Sequence, residues 1–158
     1  MDIEIRSAEL DDLAALAALN SQVQDLHIAL APDLYRHPEP GAVSDWFREQ
    51  LASSDYQVLV ATKDGNPVGY VLLRIDKRPP HTFCHDRSCI YIDQISVDTP
   101  YRKRGIARAL LEAVKGRARQ EGIDTVELDV RSDNEMAKSA FRSLGFAVYH
   151  EKMALTIE

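Results

Sequence analysis

The dipeptide Asp64-Gly65 separates two runs rich in β-branched and aromatic residues, "YQVLVA" and "VGYVLLRI". A link of this chemistry, flanked by such runs, predicts a tight hairpin, and the rest of the fold has to be arranged around that pair of strands. A third run, "CIYIDQISV", follows a polar loop from Asp76 to Ser88. Helical spacing governs other segments. Leu10, Leu13, Leu16 and Leu19 recur within "SAELDDLAALAALNSQV", where Ser7 is placed to serve as N-cap and Glu9, Asp11 and Asp12 suit the positive end of a helix.

The remaining elements follow from the same periods. "IEIR" reads as an opening strand, and "DLHIALAPDLYRHPEPGA", interrupted by Pro32, Pro38, Pro40 and Gly41, reads as broken structure. "VSDWFREQLAS" reads as a short helix. After the third run come a helix ending near Glu121 before Gly122, the strand "TVELDVR", the helix "NEMAKSAFRSL" stopped by Gly145, and a closing strand "FAVYHEKMALTI". This order implies an α/β fold in which one mixed sheet is covered by helices. No repeat or linker divides the chain, so residues 1–158 read as one domain.

Composition narrows the function classes. The 158 residues carry a formal net charge of -6, with 45% hydrophobic and 28% charged residues, which is ordinary globular usage. The opening "MDIEIRSAELDD" is acidic and patterned, unlike a secretory signal, and no apolar run reaches the ~20 residues of a membrane span. Two cysteines, Cys84 and Cys89, are too few for a disulfide scaffold. These features predict a cytoplasmic protein with no membrane partner. The pI near 5.4 argues against a nucleic-acid partner and leans weakly toward a cationic substrate.

Against that acidic background, "RKRGIARALL" places three cations and a glycine before an amphipathic helix whose apolar stripe is Ile106, Leu110, Leu111, Val114 and Ala118. A helix start offers unpaired N–H groups and about half a positive charge. Gly105 and the small Ala107 let an anion approach the backbone, and Arg102, Lys103 and Arg104 add charge at the rim. The stretch reads equally as a solvated helix entrance in which Gly105 only turns the chain. Neither the nucleotide-binding G-x-x-x-x-G-K-[ST] nor the dinucleotide G-x-G-x-x-G is present.

"YIDQISVDTPYRKRGIARALL" resembles the central motif of the GNAT superfamily of acyl-CoA-dependent N-acyltransferases, with [QR]-x-x-G-x-[GA] matched by Arg102, Gly105 and Ala107. "NEMAKSAFRSLGF" is similar to that family's second motif, and the resemblance covers about Tyr56 to Leu155. It implies a mostly antiparallel sheet with helices on its faces and a splayed strand pair at the cofactor site. It also implies acetyl-CoA as acetyl donor, with its pyrophosphate on the N–H groups of Arg102, Lys103, Arg104, Gly105, Ile106 and Ala107. The pantetheine arm would lie against Ile95 and Val97, with the Val97 N–H facing the oxyanion. Asn134, also a good N-cap, would bond the arm, and Phe141 would pack beside the thioester. Members are often homodimers, so a homodimer is implied as well.

The expected reaction moves the acetyl group of acetyl-CoA to a primary amine by direct attack in a ternary complex. An alkyl amine with a pKa of about 10.4 is mostly protonated at neutral pH, so a base is needed. Asp93, an acid within an apolar strand, is the candidate catalytic residue; its alternative role is a structural carboxylate paired with a lysine or with backbone. Phe141 stands where many members carry a proton-donating tyrosine, which keeps open a regulatory module that binds acetyl-CoA without turnover. Tyr35 and Tyr149, with His27 and His150, are placed to contact an acceptor. The run His81, Cys84, His85, Cys89 does not have the paired spacing of zinc ligands, so no metal is expected.

Overall fold

The computed structural model describes residues 2–158. The hairpin turn forms as expected, with φ of 51° at Asp64 and 80° at Gly65, the left-handed pair that a two-residue type I′ link needs. It joins β2 (Tyr56–Lys63) to β3 (Asn66–Arg78), and β3 pairs antiparallel in turn with β4 (Arg87–Val97). β1 (Glu4–Ser7) lies antiparallel on the outer side of β2, while β5 (Val126–Leu128) runs parallel to β4. The sheet order β1-β2-β3-β4-β5 is therefore the chain order, mostly antiparallel with one parallel edge.

Alternation along β2 and β3 divides the apolar side chains between two faces. Leu59, Ala61, Val71, Leu73, Ile90 and Ile92 face α3 (Ile106–Gln120), whose stripe of Ile106, Leu110, Leu111, Val114 and Ala118 is buried as the sequence predicts. Val58, Val60, Tyr70 and Leu72 face α1 (Leu13–Leu30) and α2 (Ala42–Ala52), packing on Leu16, Leu19 and Phe47. Each fully buried Leu, Ile or Phe in these layers contributes about 1.5–3 kcal/mol of transfer free energy. α4 (Glu135–Ser143) follows β5. Among the described residues, no helix is long and apolar enough to cross a membrane.

Four expectations need correction. Ser7 ends β1 and is not a helix cap; the helix entrance is instead a capping box between Glu9 and Asp12, followed by a single 3-10 turn. α1 continues through "DLHIAL" to Leu30, because the first proline that stops it is Pro32. The strand expected over "TVELDVR" is only Val126–Leu128. The closing strand over "FAVYHEKMALTI" does not form: beyond Phe146 the chain has the alternation of a strand but no strand beside it to supply the ladder.

One ion pair anchors β1 to the start of α1. Arg6 donates to both carboxylate oxygens of Asp12, at 2.7 and 2.9 Å, and the Glu9 N–H donates to Asp12 at 2.8 Å. Asp12 is buried, and Arg6 holds its carboxyl below the ordinary carboxylate range. Asp12→Ala is expected to cost about 2 kcal/mol in denaturant unfolding, since it strands a charge and a backbone donor. A lowered folded pKa means that this stabilisation is present above about pH 4 and is lost as pH falls through the folded value. The stability gap between wild type and Asp12→Asn should therefore close on acidification.

Candidate active site

The β4–β5 ladder stops early. Its registered pairs are Ile90 with Val126, Tyr91 with Glu127, and Ile92 with Leu128. β4 then continues to Val97 while β5 gives way to the loop before α4, so the two strands part at Asp93 and Asp129. At the same level the β3–β4 register shifts: Leu72 faces Gln94 and Leu73 faces Ile92, leaving Asp93 as the extra residue of a β-bulge. A bulge re-aims side chains, and here it turns both Asp93 and Gln94 toward the α1 face.

Backbone direction follows from the same register. The Asp98 N–H bonds the Val68 carbonyl on the β3 side, so the peptide groups of Val97 and, two residues back, Ile95 point the other way, into the gap. The Val97 carbonyl takes the Arg102 Nε at 3.0 Å, which leaves its N–H directed into the wedge.

At the mouth of the wedge, a 3-10 turn (Thr99–Tyr101) leads through Lys103, with φ of 59°, to Gly105, with φ of 85°, and into α3. The first helical bond is from the Ala109 N–H to the Gly105 carbonyl, so the N–H groups of Ile106, Ala107 and Arg108 have no acceptor within the helix. A Cβ built at Gly105 meets nothing within 4 Å, so the cradle there is open. Arg102, Lys103 and Arg104 are exposed around it, and Ile106 is buried below. Gln22 of α1 ties the lip down, bonding Asp98 at 2.8 Å and accepting from the Thr99 hydroxyl at 2.8 Å. An anionic cofactor with a narrow arm fits these residues: open donors and cations at the lip, peptide donors along the wall.

The α1 face of the wedge is polar. Arg74 Nε lies 3.2 Å from Asp93, whose side chain is 26% exposed. Partial desolvation pushes the Asp93 carboxyl above its ordinary range, and the Arg74 charge opposes that shift. Arg74 also lies 4.6 Å over the ring of Tyr91, and Tyr91 donates to Asp129. Burial and that acidic partner both raise the Tyr91 phenol. Next to Asp93, Gln94 accepts from the Tyr70 hydroxyl at 2.8 Å and from Asn20 at 3.1 Å, which links the bulge to α1.

The other expected site residues are distributed as follows. Asn134 caps α4, accepting from the Ala137 N–H at 3.1 Å, and is buried. Phe141, two turns along the same helix face, packs edge-on against Phe146 with centroids 5.8 Å apart. Tyr35 stacks on His27 at 4.9 Å, and the Arg131 guanidinium lies 5.9 Å from the Tyr35 ring centre, so the loop after α1 meets the loop after β5. Burial and the Arg131 charge lower the His27 pKa. Tyr149 is set apart from Asp93: it bonds Glu127 at 2.9 Å beside Arg87, and it is 67% exposed.

Sequence reading missed Arg74 and Asp129, and it singled out Tyr91, with Tyr149, only as a substitute proton donor for the leaving thiolate in place of Phe141. The two-residue spacing of Tyr91 and Asp93 was a visible signal, but Asp129 joins them only through the β4–β5 register, which no local pattern encodes.

The acetyltransferase (GNAT) family model matches residues 20–146. The [ribosomal protein bS18]-alanine N-acetyltransferase of Escherichia coli (strain K12) is 40% identical over 127 residues, covering 78% of this chain and 79% of that protein. The N-alpha-acetyltransferase RimI of Mycobacterium tuberculosis is 35% identical over 101 residues, covering 63% of this chain and 58% of that longer relative. A crystal structure of the BH1408 protein from Bacillus halodurans superposes with a TM-score of 0.92 at 28% identity, over 98% of this chain and 99% of that one. With the parted strands and the open helix start already in place, the chain belongs to the GNAT acetyltransferase family, whose members are acetyl-CoA-dependent N-acetyltransferases.

Proposed function

We propose that this protein transfers the acetyl group of acetyl-CoA to a primary amine by direct attack within a ternary complex, in the cytoplasm and as a homodimer. The parting of β4 and β5 at a bulged carboxylate is the observation that carries this reading, because one feature opens the cofactor wedge and aims a base at its end. The N–H groups from Lys103 to Ala107 hold the pyrophosphate, with Lys103 and Arg104 as its nearest free cations; the Arg102 N–H, expected among them, is instead spent on the Thr99 carbonyl, and its Nε on the Val97 carbonyl. Ile95 and Val97 present peptide donors to the pantetheine arm, and Asn134 and Phe141 line its other side.

Asp93 takes the proton from the incoming ammonium, directly or through one water. Its raised pKa brings the carboxylate closer in basicity to the amine. As the carbonyl oxygen gains charge, the Val97 N–H stabilises it; a preorganised donor of this kind is worth a few kcal/mol. The acceptor enters over the α1 face, where Asp93 and Asp129 together confront the single guanidinium of Arg74 at the wedge. That surplus of negative charge favours a cationic amine, and Tyr35 borders its approach, whereas Tyr149, expected there too, is held on Glu127 beside Arg87. The relatives named as acting on protein alanine, on L-amino acids and on L-2,4-diaminobutyric acid all use amine acceptors.

A second reading, an acetyl-CoA-binding module without turnover, is favoured by Phe141, whose ring packs on Phe146 and offers no proton to a departing thiolate. Thiol release measured over polyamines, amino acids, aminoglycosides and peptides separates the two: release above hydrolysis supports transfer, and tight binding without release supports the module. Within the transfer reading, Asp93→Asn should lower kcat roughly 10²-fold or more with little change in KM for acetyl-CoA. It should also remove the fall in rate at acid pH, which in the wild type begins above the ordinary carboxylate range. An unaltered pH profile would exclude Asp93 as the base. Gly105→Glu should abolish acetyl-CoA binding by calorimetry, and its side chain at a left-handed φ should cost about 1–2 kcal/mol of stability.

A further inference from the structure

A bulged residue has left the alternation of its strand, so the direction of its side chain has to be fixed by a neighbour. For Asp93 that neighbour is Arg74, which makes the one ion pair Asp93 has among the described residues. Arg74 continues the α1 face of β3 beyond Tyr70 and Leu72, and it is registered with Tyr91 of β4 and Tyr56 of β2. Its Nε donates to Asp93 at 3.2 Å, while its guanidinium lies 4.6 Å over the Tyr91 ring. The two contacts do different work. The ring holds the guanidinium plane, a stacking that a lysine ammonium does not reproduce, and the Nε then sets the line along which the carboxylate points.

The surrounding groups leave Arg74 to this task. Asp76, two residues along the same face of β3, is occupied by Arg78 at 3.0 and 3.1 Å. Asp129, past the end of β5, accepts from Tyr91 and so steadies the ring on which Arg74 rests. α1 supplies only the uncharged Asn20, through Gln94. Burial and Asp76 favour the protonated form of Asp93, and the Arg74 charge favours the carboxylate.

We propose that Arg74 is a positioning residue for the transfer: it aims the Asp93 carboxylate at the end of the wedge and favours the ionised form that can accept a proton. This role rests on the reading of Asp93 as the base. Its sign is fixed. Removing the guanidinium removes the one charge that opposes protonation of Asp93, so the fall in rate at acid pH should begin at a higher pH.

The test uses the full chain with its circular dichroism spectrum retained. In Arg74→Gln the acid limb of kcat should move to higher pH, and the plateau should fall roughly tenfold through lost aim, with KM for acetyl-CoA unchanged. Arg74→Lys should return the limb to its wild-type position and leave the plateau low, because it restores the charge and not the stacked plane. A limb that stays in place in Arg74→Gln, where Asp93→Asn abolishes it, would overturn the role of Arg74 alone, as would wild-type kcat in Arg74→Lys. A limb that Asp93→Asn leaves untouched would overturn the base reading and this role with it. The Asp93 carboxyl is also titrated without turnover, by the chemical shift of its carboxyl carbon in isotope-labelled protein, assigned by its loss in Asp93→Asn. Its midpoint should lie higher in Arg74→Gln than in the wild type; equal midpoints would overturn the proposal whatever the acceptor.

Discussion

The early end of the β4–β5 ladder is the constraint on which the rest of the site depends. Strands normally consume each other's peptide groups, and a pair that zipped fully would leave the wedge no donors. Here β4 is held from elsewhere. β3 pairs with it along its whole length, the Ser96 hydroxyl bonds the Leu19 carbonyl at 3.1 Å, and Asn20, Tyr70 and Gln94 form a network across the α1 face. The wedge can stay open because β4 does not need β5 beyond Ile92.

The same arrangement separates charge. The lip at Arg102, Lys103 and Arg104 is basic, and the α1 face of β4 and β5 carries Asp93, Glu127 and Asp129, with Arg74 and Arg87 in partial compensation. On a chain of net charge -6 the basic lip is the exception, so its field is local, fading within the ~8 Å Debye length at physiological salt. An anionic cofactor and a cationic acceptor would each meet an oppositely charged region.

What the sequence disclosed was whatever local chemistry controls. Asp64-Gly65 formed its hairpin, the stripe from Ile106 to Ala118 was buried, and Asn134 capped α4, because turn, period and cap are each written in neighbouring residues. The family and its mixed, mostly antiparallel sheet were legible too, through two motifs at the right separation. The bulge at Asp93 was not, since one extra residue in a ladder depends on the partner strand's register. The segment from Ala147 to Ile157 shows the same limit from the other side. Its alternation reads as a strand, yet a strand needs a neighbour, and within the described chain it has none.

Phe141 gives the proposed chemistry a definite shape. The two tyrosines that could replace a missing proton donor are both engaged: Tyr91 is bonded to Asp129 and its phenol is held well above its usual pKa, and Tyr149 is bonded to Glu127. A phenol less acidic than the thiol it serves gains little by donating to it. A thiolate whose conjugate acid has a pKa of about 8.5 leaves acceptably without help, whereas an alkylammonium near 10.4 cannot attack until it loses a proton. The greater demand therefore falls on proton removal from the acceptor. That is the role assigned to Asp93, the one carboxylate that the bulge, the end of the ladder and Arg74 together fix at the tip of the wedge.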